Sequence, residues 1–400
     1  MPLKPTFIKR IKMQIITRNL LILLILGSLL ACHKKPVDPS VVRSMKYKKC
    51  LKEGYGKLGV FYQTNSIPGF AIAVSINNEM VWSDGFGYSN FELKAKTSPS
   101  HLFRIGQVSE LITAITAAKL QEEGKLDIDK PVAKYLPEMP PKAADFTIRQ
   151  LGAHTAGFRV ENISAGNNRA NVLDSIVASF IKENLIYEPG TNILQTELGY
   201  DLMGYVIEKN CKDSYPKIVK KTVLDTLKLK STIPDIPRRI IENKSSNYDY
   251  DFISQPILAA PINLCGKEAS AGYLSSVDDL VKMANLLLYP GFLKQESISL
   301  LTTPIKLKNG QLAPFSFGLI VSKDVKGHTF YGIRGFVQGG SATLLIYPDD
   351  KLVVAMAANI GNGSLDLPVF EIADIFMKQL HPELYKEQPK EEPAKQKETK

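Results

Sequence analysis

Two pairs of residues combine a serine and a lysine at a spacing that nucleophilic catalysis uses. In a Ser-x-x-Lys pattern the two side chains lie one helical turn apart, so the amine can handle the proton of the attacking hydroxyl. The pattern occurs at Ser179 with Lys182 and at Ser214 with Lys217. Because two of its four positions are free, the pattern is weak evidence, and both matches fall in a long central region of helices and loops.

A third stretch, residues 103–114 (FRIGQVSELITA), resembles a short turn that opens a catalytic helix. The two positions where chemistry is expected hold Gln107 and Glu110. An amide is not a nucleophile for acyl transfer at neutral pH. Ser109 lies about 200° around the helix from Gln107, and Ile112 rather than a lysine follows it at the matching offset. The stretch therefore predicts the architecture of a catalytic helix whose chemistry has been replaced.

The N-terminus predicts export from the cytoplasm. Residues 1–31 carry five basic residues and no acid, and their apolar run at 20–26 is too short for a comfortable membrane span. Residues 29–32 (LLAC) resemble a bacterial lipobox, which predicts that Cys32 receives a lipid. An ordinary signal peptide with an incidental cysteine is the alternative, and Met13 is a second plausible start.

The remainder reads as one folded domain between two polar segments. Residues 32–45 are polar and contain two prolines, which suits a tether between lipid and domain. Residues 381–400 consist mostly of Lys, Glu, Gln and Pro and predict a disordered, charged tail. The domain over 46–380 would be anchored to a membrane through the lipid, in the envelope of a bacterial cell.

Composition excludes some classes of function. The formal net charge is +10, and half of it comes from the N-terminal segment. No dense basic stripe with interleaved aromatic residues is visible, so nucleic-acid binding is not expected. Beyond Cys32, the cysteines Cys50, Cys211 and Cys265 match no metal-binding spacing and predict buried thiols rather than a disulfide scaffold. No metal and no cofactor are expected.

Hydrophobic periodicity predicts an α+β fold. A helical pattern begins at Val108 and ends near Gly124, and another covers 367–380. Strand-like runs lie near both ends of the domain: 70–76, 80–83, 342–347 and 352–357. The first two runs flank Asn77-Asn78, a good hairpin turn. The pattern predicts an antiparallel sheet formed from both chain ends and flanked by helices.

The domain thus divides into an α/β part and an insert. The α/β part is expected at about 46–105 and 310–380, and a mostly helical lobe at about 106–309. Short motifs support this order, and all of them are found in one superfamily: 67–70 (IPGF), 81–88 (VWSDGFGY), 103–106 (FRIG), 123–132 (EGKLDIDKPV), 147–151 (TIRQL), 154–157 (HTAG), 189–191 (PGT), 271–280 (AGYLSSVDDL) and 346–348 (IYP).

These markers resemble the serine β-lactamase and penicillin-binding-protein superfamily. They are closest to the branch of class C β-lactamases, D-alanyl-D-alanine carboxypeptidases, related esterases and mitochondrial serine β-lactamase-like proteins. The resemblance implies a β-lactamase/transpeptidase-like fold and acyl-enzyme chemistry built on three motifs. It also implies that His154 buttresses a loop, and that Lys125 and Asp127 shape a turn.

All three motifs are altered in this chain. The resemblance places the nucleophile of Ser-x-x-Lys at Gln107 and its base at Glu110. The tyrosine motif that follows Pro189-Gly190 reads Gln195-Thr196-Glu197, so the tyrosine is missing. The Lys-Thr-Gly or His-x-Gly motif reads Ile333-Arg334-Gly335, where only the glycine remains.

Three hypotheses remain open. The first is a pseudoenzyme that keeps a ligand- or partner-binding cleft lined by Gln107, Glu110, Gln195, Glu197 and Arg334. Within this hypothesis, Glu110 or Glu197 could instead pair with Arg334 and plug the cleft. The second is a hydrolase, either of the serine type or one in which Glu110 and Glu197 act as general acid and base. The third is an envelope scaffold, for which an exposed apolar patch would be evidence.

Overall fold

The computed structural model describes residues 38–139, 146–158, 172, 174–176, 178, 184–361, 363 and 365–385. The chain divides into a unit ending at Pro39 and a compact unit that begins at Ser40. The fold described below is that of the second unit. The signal-like segment, Cys32, the pair Ser179 and Lys182, and the tail beyond Tyr385 lie outside the described residues.

One antiparallel sheet, assembled from both ends of the chain, is the frame of the fold. Its strands run in the order β1-β3-β2-β13-β12-β11-β10, and β4 pairs with β3. The strands from the N-terminal part are β1 (Val42–Arg43), β2 (Gly69–Ile76), β3 (Glu79–Asn90) and β4 (Ala95–Lys96). Those from the C-terminal part are β10 (Ile320–Lys323), β11 (Thr329–Val337), β12 (Gly340–Tyr347) and β13 (Leu352–Ala358). The predicted fold class is confirmed.

The insert between these two groups of strands carries most of the helices. The α-helices of the described chain are α1 (Lys48–Thr64), α2 (Val108–Glu122), α3 (Ile148–Gly152), α4 (Glu197–Cys211), α5 (Tyr215–Val219), α6 (Val277–Asn285), α7 (Gln295–Thr302) and α8 (Val369–Leu380). The insert also holds two small sheets. One joins β5 (Phe103–Arg104), β9 (Tyr273–Ser275) and β6 (Ile233–Pro234), and the other joins β7 (Tyr248–Tyr250) to β8 (Pro256–Leu258).

The central strands are buried on both faces, which explains their continuous apolar runs. Successive side chains of a strand point to opposite faces. On β2, Ile72 lies in the cluster that contains Phe376 of α8, whereas Ala73 lies in the cluster that contains Leu280 of α6. The β2–β3 hairpin turns at Asn77 and Asn78, whose φ angles of 53° and 63° suit the predicted tight turn.

Strand β11 approaches the turn before α2 so closely that no side chain fits between them. A Cβ added to Gly335 would clash with the Ile105 carbonyl oxygen and would lie 2.5 Å from the Gln107 nitrogen. Gly106, with φ 51°, would place a Cβ 2.6 Å from the Phe336 nitrogen. Two glycines therefore allow backbone to meet backbone where the sheet joins the insert.

The boundaries differ from the sequence prediction in two places. The folded part begins inside the expected tether, because Val42 and Arg43 pair with β3. It also extends past residue 380, since Pro382–Tyr385 form a 3₁₀ turn and the Tyr385 hydroxyl donates to Asp374.

Of the three cysteines that were predicted to be buried thiols, Cys50 is buried, whereas Cys211 and Cys265 are only half-buried. Among the described residues, no helix is long and apolar enough to cross a membrane.

We predict that Gly335→Ala destabilises the protein by roughly 2–4 kcal/mol, because backbone atoms cannot yield to the new methyl group as a side chain could. Urea unfolding followed by circular dichroism measures the change. Gly56→Ala is the matched control: Gly56 is exposed within α1 and has nothing within 4 Å of its Cβ position. It should gain about 1 kcal/mol from helix propensity. Equal effects of the two variants would contradict the close contact.

Candidate active-site cleft

A cavity of about 400 Å³ opens beside the N-terminus of α2. Helix α4 contributes its first residues to the wall, and strand β11 contributes its C-terminal half. The structure brings together here all the predicted site residues except Gly335, which lies behind the wall in contact with the turn before α2. The lining residues on which the following account depends are Gln107, Glu110, His154, Gln195, Thr196, Glu197, Lys267, Phe315, Ile320, Ile333, Arg334 and Phe336.

The side-chain amide of Gln107 is held at both ends. Its Oε1 accepts a hydrogen bond of 2.8 Å from the backbone N–H of Phe336. Its Nε2 donates to Glu197 Oε1 at 2.5 Å. The residue at the expected nucleophile position therefore forms a bridge across the cleft, from strand β11 to helix α4.

Glu110 is a buried carboxyl with one unsatisfied oxygen. The residue is 2% exposed, and its Oε1 has no hydrogen-bond partner. Burial raises the pKa of Glu110 well above its ordinary value, and the negative charges of Glu197 and Asp201 raise it further. Burial thus favours the neutral carboxylic acid, a form that cannot serve as a base.

His154 lies beside Glu110 but forms no ion pair with it. The distance from His154 Nε2 to Glu110 Oε2 is 3.7 Å, which is too long for a hydrogen bond. Burial lowers the pKa of His154 to about 4, so the ring is neutral near pH 7. Its Nδ1 accepts from the Thr196 N–H, which leaves the proton on Nε2. The contact supports the loop before α4, in keeping with the predicted buttressing role.

The start of α4 explains how Glu197 reaches the cleft. Thr196 caps the helix, since its hydroxyl oxygen accepts from the Leu198 N–H at 3.2 Å. Glu197 is then the first helical residue, where a negative charge is favourable to the helix dipole. Its side chain is 37% exposed, and its Oε2 lies 3.7 Å from Lys267 Nζ.

Lys267 is a charged group of the cleft that the sequence analysis missed. Its Nζ donates to Asp201 Oδ2 at 2.6 Å, and the Ser270 hydroxyl donates to the other oxygen of the same carboxylate, also at 2.6 Å. Burial lowers the pKa of Lys267, but the charges of Asp201 and Glu197 outweigh this and raise it overall. The lysine is therefore a cation at pH 7.

For the pKa of Asp201, in contrast, the effect of burial outweighs that of the ion pair. Burial raises its pKa to about 6, although Lys267 and Ser270 act to lower it. A signal for this pair was present in the sequence: Asp201 follows Glu197 by four residues on one face of the helix, and no other charged residue occurs before Glu208. Lys267 likewise stands among small and apolar residues. Across the described residues, no three His, Cys, Asp or Glu side chains form a group that could hold a metal ion.

Arg334 does not pair with either glutamate. Its guanidinium donates to the backbone carbonyls of Gly363 and Leu365 at 2.9 and 2.6 Å, and lies 3.8 Å from Asp366. The suggested plugging of the cleft by an Arg334–glutamate pair is thus wrong. Ile333 is 8% exposed and contributes an apolar part of the wall.

Ser214, Lys217 and Ser109 lie outside the cleft. Lys217 is 74% exposed and lies 3.5 Å from Asp213, and neither Ser214 nor Lys217 lines the cavity. Ser109 is fully buried, and its hydroxyl accepts from the Tyr273 N–H at 3.3 Å. Asp127 shapes a turn, as predicted, by accepting from the Asp129 N–H, and Lys125 pairs with Glu123.

The fold and the position of this cleft define the class of serine β-lactamases and penicillin-binding proteins. The profile of the Beta-lactamase family matches residues 52–369, and the chain belongs to that family. The positions predicted for the nucleophile and the base hold an amide, Gln107, and a buried carboxyl, Glu110.

Similar proteins come from mitochondria, bacteria and archaea. The chain is 24% identical to the human mitochondrial serine beta-lactamase-like protein LACTB over 78% of its length and 77% of the relative's. It is 25% identical to protein flp of Staphylococcus aureus over 75% of its length, and this covers 61% of that protein.

Solved structures show the same fold. A class C beta-lactamase has a TM-score of 0.70 at 20% identity, covering 83% of this chain and 97% of its own. An octameric penicillin-binding protein homologue from Pyrococcus abyssi has a TM-score of 0.68 at 23% identity, covering 84% of this chain and 78% of its own.

We predict that Glu110→Gln changes the pH dependence of stability. The unfolded chain loses the Glu110 proton above about pH 4.3, whereas the folded chain keeps it. The stability that this carboxyl contributes is therefore fully present below that pH and is lost as pH rises toward the folded pKa. From about pH 5 up to the folded pKa, the wild type should lose up to about 1.4 kcal/mol per pH unit relative to the variant.

Urea unfolding of both proteins at half-unit intervals from pH 4 to 8 measures this difference. Values at pH 4, just below the unfolded pKa, carry only a small contribution from ionisation of Glu110 and give the reference for any change in packing. Parallel stability curves for the two proteins would show that the Glu110 carboxyl is not held neutral.

Proposed function

We propose that the protein is a lipid-anchored, β-lactamase-related protein of the bacterial cell envelope that binds a ligand or partner without forming an acyl-enzyme. One observation carries the proposal: the nucleophile position holds Gln107, and both ends of its amide are engaged, by Phe336 and by Glu197. A side chain held in this way has no nucleophilic atom and also occupies the space beside the Phe336 N–H.

The sequence also lacks a lysine at the position predicted for the base, residue 110. A lysine at position 110 would provide an amine to take the proton of a hydroxyl at position 107. Position 110 instead holds a buried carboxyl, and its burial favours the neutral acid. Lys267 does not replace it, because its amine is bound to Asp201 and remains protonated.

The proposed location depends on the sequence of the first 45 residues. The lipobox-like LLAC at 29–32 and the short apolar run before it support attachment through Cys32. The names of the bacterial relatives are compatible with this location but do not state it.

A carboxylate-based hydrolase is the second candidate. Glu110 is desolvated and protonated while Glu197 is partly exposed, and such a difference in environment is how enzymes separate an acid from a base. Against it, the inaccessible Glu110 would have to donate its proton to a substrate that cannot reach it unless Gln107 moves.

An envelope scaffold is the third candidate, and one surface favours it. The β7–β8 hairpin exposes Phe252 (96%) and Leu258 (65%) to solvent. One structural relative is octameric. Light scattering of the purified domain would support this candidate if a discrete oligomer forms and is lost in Phe252→Ser.

We predict that the soluble domain is not labelled by a fluorescent penicillin and does not hydrolyse a generic ester. The double variant Gln107→Ser, Glu110→Lys restores the family's nucleophile and base and is the test of assay sensitivity. Gel fluorescence and intact-protein mass measure covalent labelling. A mass increase on the unmodified protein would overturn the proposal, whereas ester turnover without labelling that is lost in Glu110→Gln would favour the carboxylate hydrolase.

We predict that Cys32→Ser moves the full-length protein from the membrane fraction to the soluble fraction of a bacterial host. The thiol is the attachment atom in a lipoprotein, and a single apolar run this short does not anchor a mature chain. Metabolic labelling with an alkyne fatty acid should mark the wild type alone. Labelling of the variant would contradict attachment at Cys32.

A further inference from the structure

The connection between strands β6 and β7 contains an exposed loop with two apolar side chains. Residues 236–243 (IPRRIIEN), the basic loop, leave the folded core shortly after β6. Ile240 is 98% exposed and Ile236 is 41% exposed. Single exposed apolar residues are common on protein surfaces, so the neighbours of Ile240 decide whether it belongs to a contact surface.

The neighbours of Ile240 carry an excess of positive charge. Arg238 and Arg239 precede it and are both exposed, and within the described part of the chain neither arginine forms an ion pair. Four cations stand against one acid, a net charge of +3, among the exposed side chains of residues 228–243, which are Lys228, Lys230, Arg238, Arg239 and Glu242. An exposed apolar group among unpaired cations is the chemistry that binds a membrane surface with anionic headgroups.

The base of the basic loop is fixed by a buried carboxylate. Asp235 accepts from Arg104 of β5 at 2.7 Å and from Lys244, which lies just past the other end of the loop. The Asp235 N–H also donates to the Gly272 carbonyl at 2.9 Å. Inside the loop, Arg238 has a φ of 63°, in the left-handed region that is unfavourable for residues other than glycine. The fixed ends hold this strained backbone in place, so the loop presents its side chains from a rigid base.

The basic loop lies beside the point where the folded unit begins. The Ser40 hydroxyl is 3.1 Å from that of Ser98, which in turn is 2.9 Å from that of Ser100. Ser100 shares the wall of a small cavity, of about 260 Å³, with Arg239 and Ile240. Two hydrogen bonds and one cavity wall thus connect the start of the unit to the exposed loop.

The predicted tether would keep this face near the membrane. Eight residues separate Cys32 from Ser40, and a fully extended chain of that length spans at most about 28 Å. A lipid on Cys32 would hold Ser40 within that distance of the headgroups. Because the basic loop would then meet lipid at a high effective concentration, individually weak contacts suffice for docking.

We propose that the basic loop docks on a bilayer surface that carries anionic headgroups, with Ile240 entering the headgroup region and Arg238 and Arg239 binding lipid phosphates. This contact is separate from the lipid on Cys32 and fixes the orientation of the domain on the membrane. The inference rests on the lipid attachment in the proposed function and assigns the surface that faces the bilayer.

Another exposed apolar residue provides a matched contrast. Val325, in the β10–β11 turn, is fully exposed. Lys323 and Lys326 lie near it, but Asp324 and Asp374 balance their charge, and Lys326 is paired with Asp374. Strand β10 is at the edge of the sheet opposite to β1. The turn thus lacks both the excess of positive charge and the position next to the tether.

Quenching of tryptophan fluorescence by brominated lipids tests the docking. The chain has one tryptophan, Trp82, which is fully buried, so the native protein gives the background. The full-length, lipidated Ile240→Trp protein in vesicles of brominated phosphatidylcholine and phosphatidylglycerol should lose much of the fluorescence of the new indole. Val325→Trp in the same vesicles should be quenched no more than the background. Equal quenching of the two variants, or none of Ile240→Trp, would overturn the proposal.

The role of charge is tested in the Ile240→Trp protein as the phosphatidylglycerol content is varied. Arg238→Gln with Arg239→Gln should lower the ratio of docked to undocked protein about thirtyfold, because each basic side chain near an anionic surface contributes a factor of about five. Lys308→Gln with Lys326→Gln is the control, since it removes the same charge from cations that pair with acids elsewhere. Quenching that is unchanged by the arginine substitutions and by omission of phosphatidylglycerol would overturn the proposal.

The failure of this inference can be told apart from the failure of the proposed function. Intact-protein mass shows whether Cys32 carries a lipid, and its absence would overturn the proposed attachment. An N-terminal histidine tag on nickel-chelating lipid would then provide the anchor, so the comparison of positions 240 and 325 still decides the inference. Thermal unfolding of each variant shows whether a change in quenching reflects a loss of fold.

Discussion

The contact between strand β11 and the turn before α2 is the constraint on which the rest of the site depends. Gly335 and Gly106 leave no room for a side chain, so the backbone of the sheet touches the backbone of the insert. This approach brings the Phe336 N–H within 2.8 Å of Gln107 Oε1. The sheet gathers strands from both chain ends, and the contact with α2 links it to the lobe inserted between them. The cleft exists because these two parts meet without a side-chain layer between them.

Desolvation then decides the chemistry that the cleft can perform. The position that would hold a basic lysine in the family holds an acid, and burial keeps that acid neutral. A buried amine nearby, on Lys267, is bound to Asp201 and lies 3.7 Å from Glu197. A buried pair of this kind contributes little net stability but is costly to break, since one partner alone would be an uncompensated charge. The result is a polar cavity in which Gln107, Glu197 and Lys267 are already engaged in hydrogen bonds or ion pairs.

Much of the fold could be predicted from local patterns. The Asn77-Asn78 turn, the helix from Val108 and the strands near residues 342–357 follow from periodicity and turn chemistry, because these signals act within a few residues. The outer parts of the fold were harder to predict from the sequence. Strand β1 has only two residues and pairs with Ser83 and Trp82, a contact forty residues away that leaves no periodicity to read. The small sheets of the insert were missed for the same reason.

The sequence by itself determined the family, through ordered motifs, and the identity of the groups at the nucleophile and base positions, Gln107 and Glu110. Only the tertiary structure decided what those groups do. Gln107 meets Phe336 across 229 residues, and Lys267 meets Asp201 across 66. The protonation of Glu110 depends on the neighbours that exclude water from it, and these come from distant parts of the chain. Residue types are local information, whereas desolvation and electrostatic pairing belong to the packed molecule.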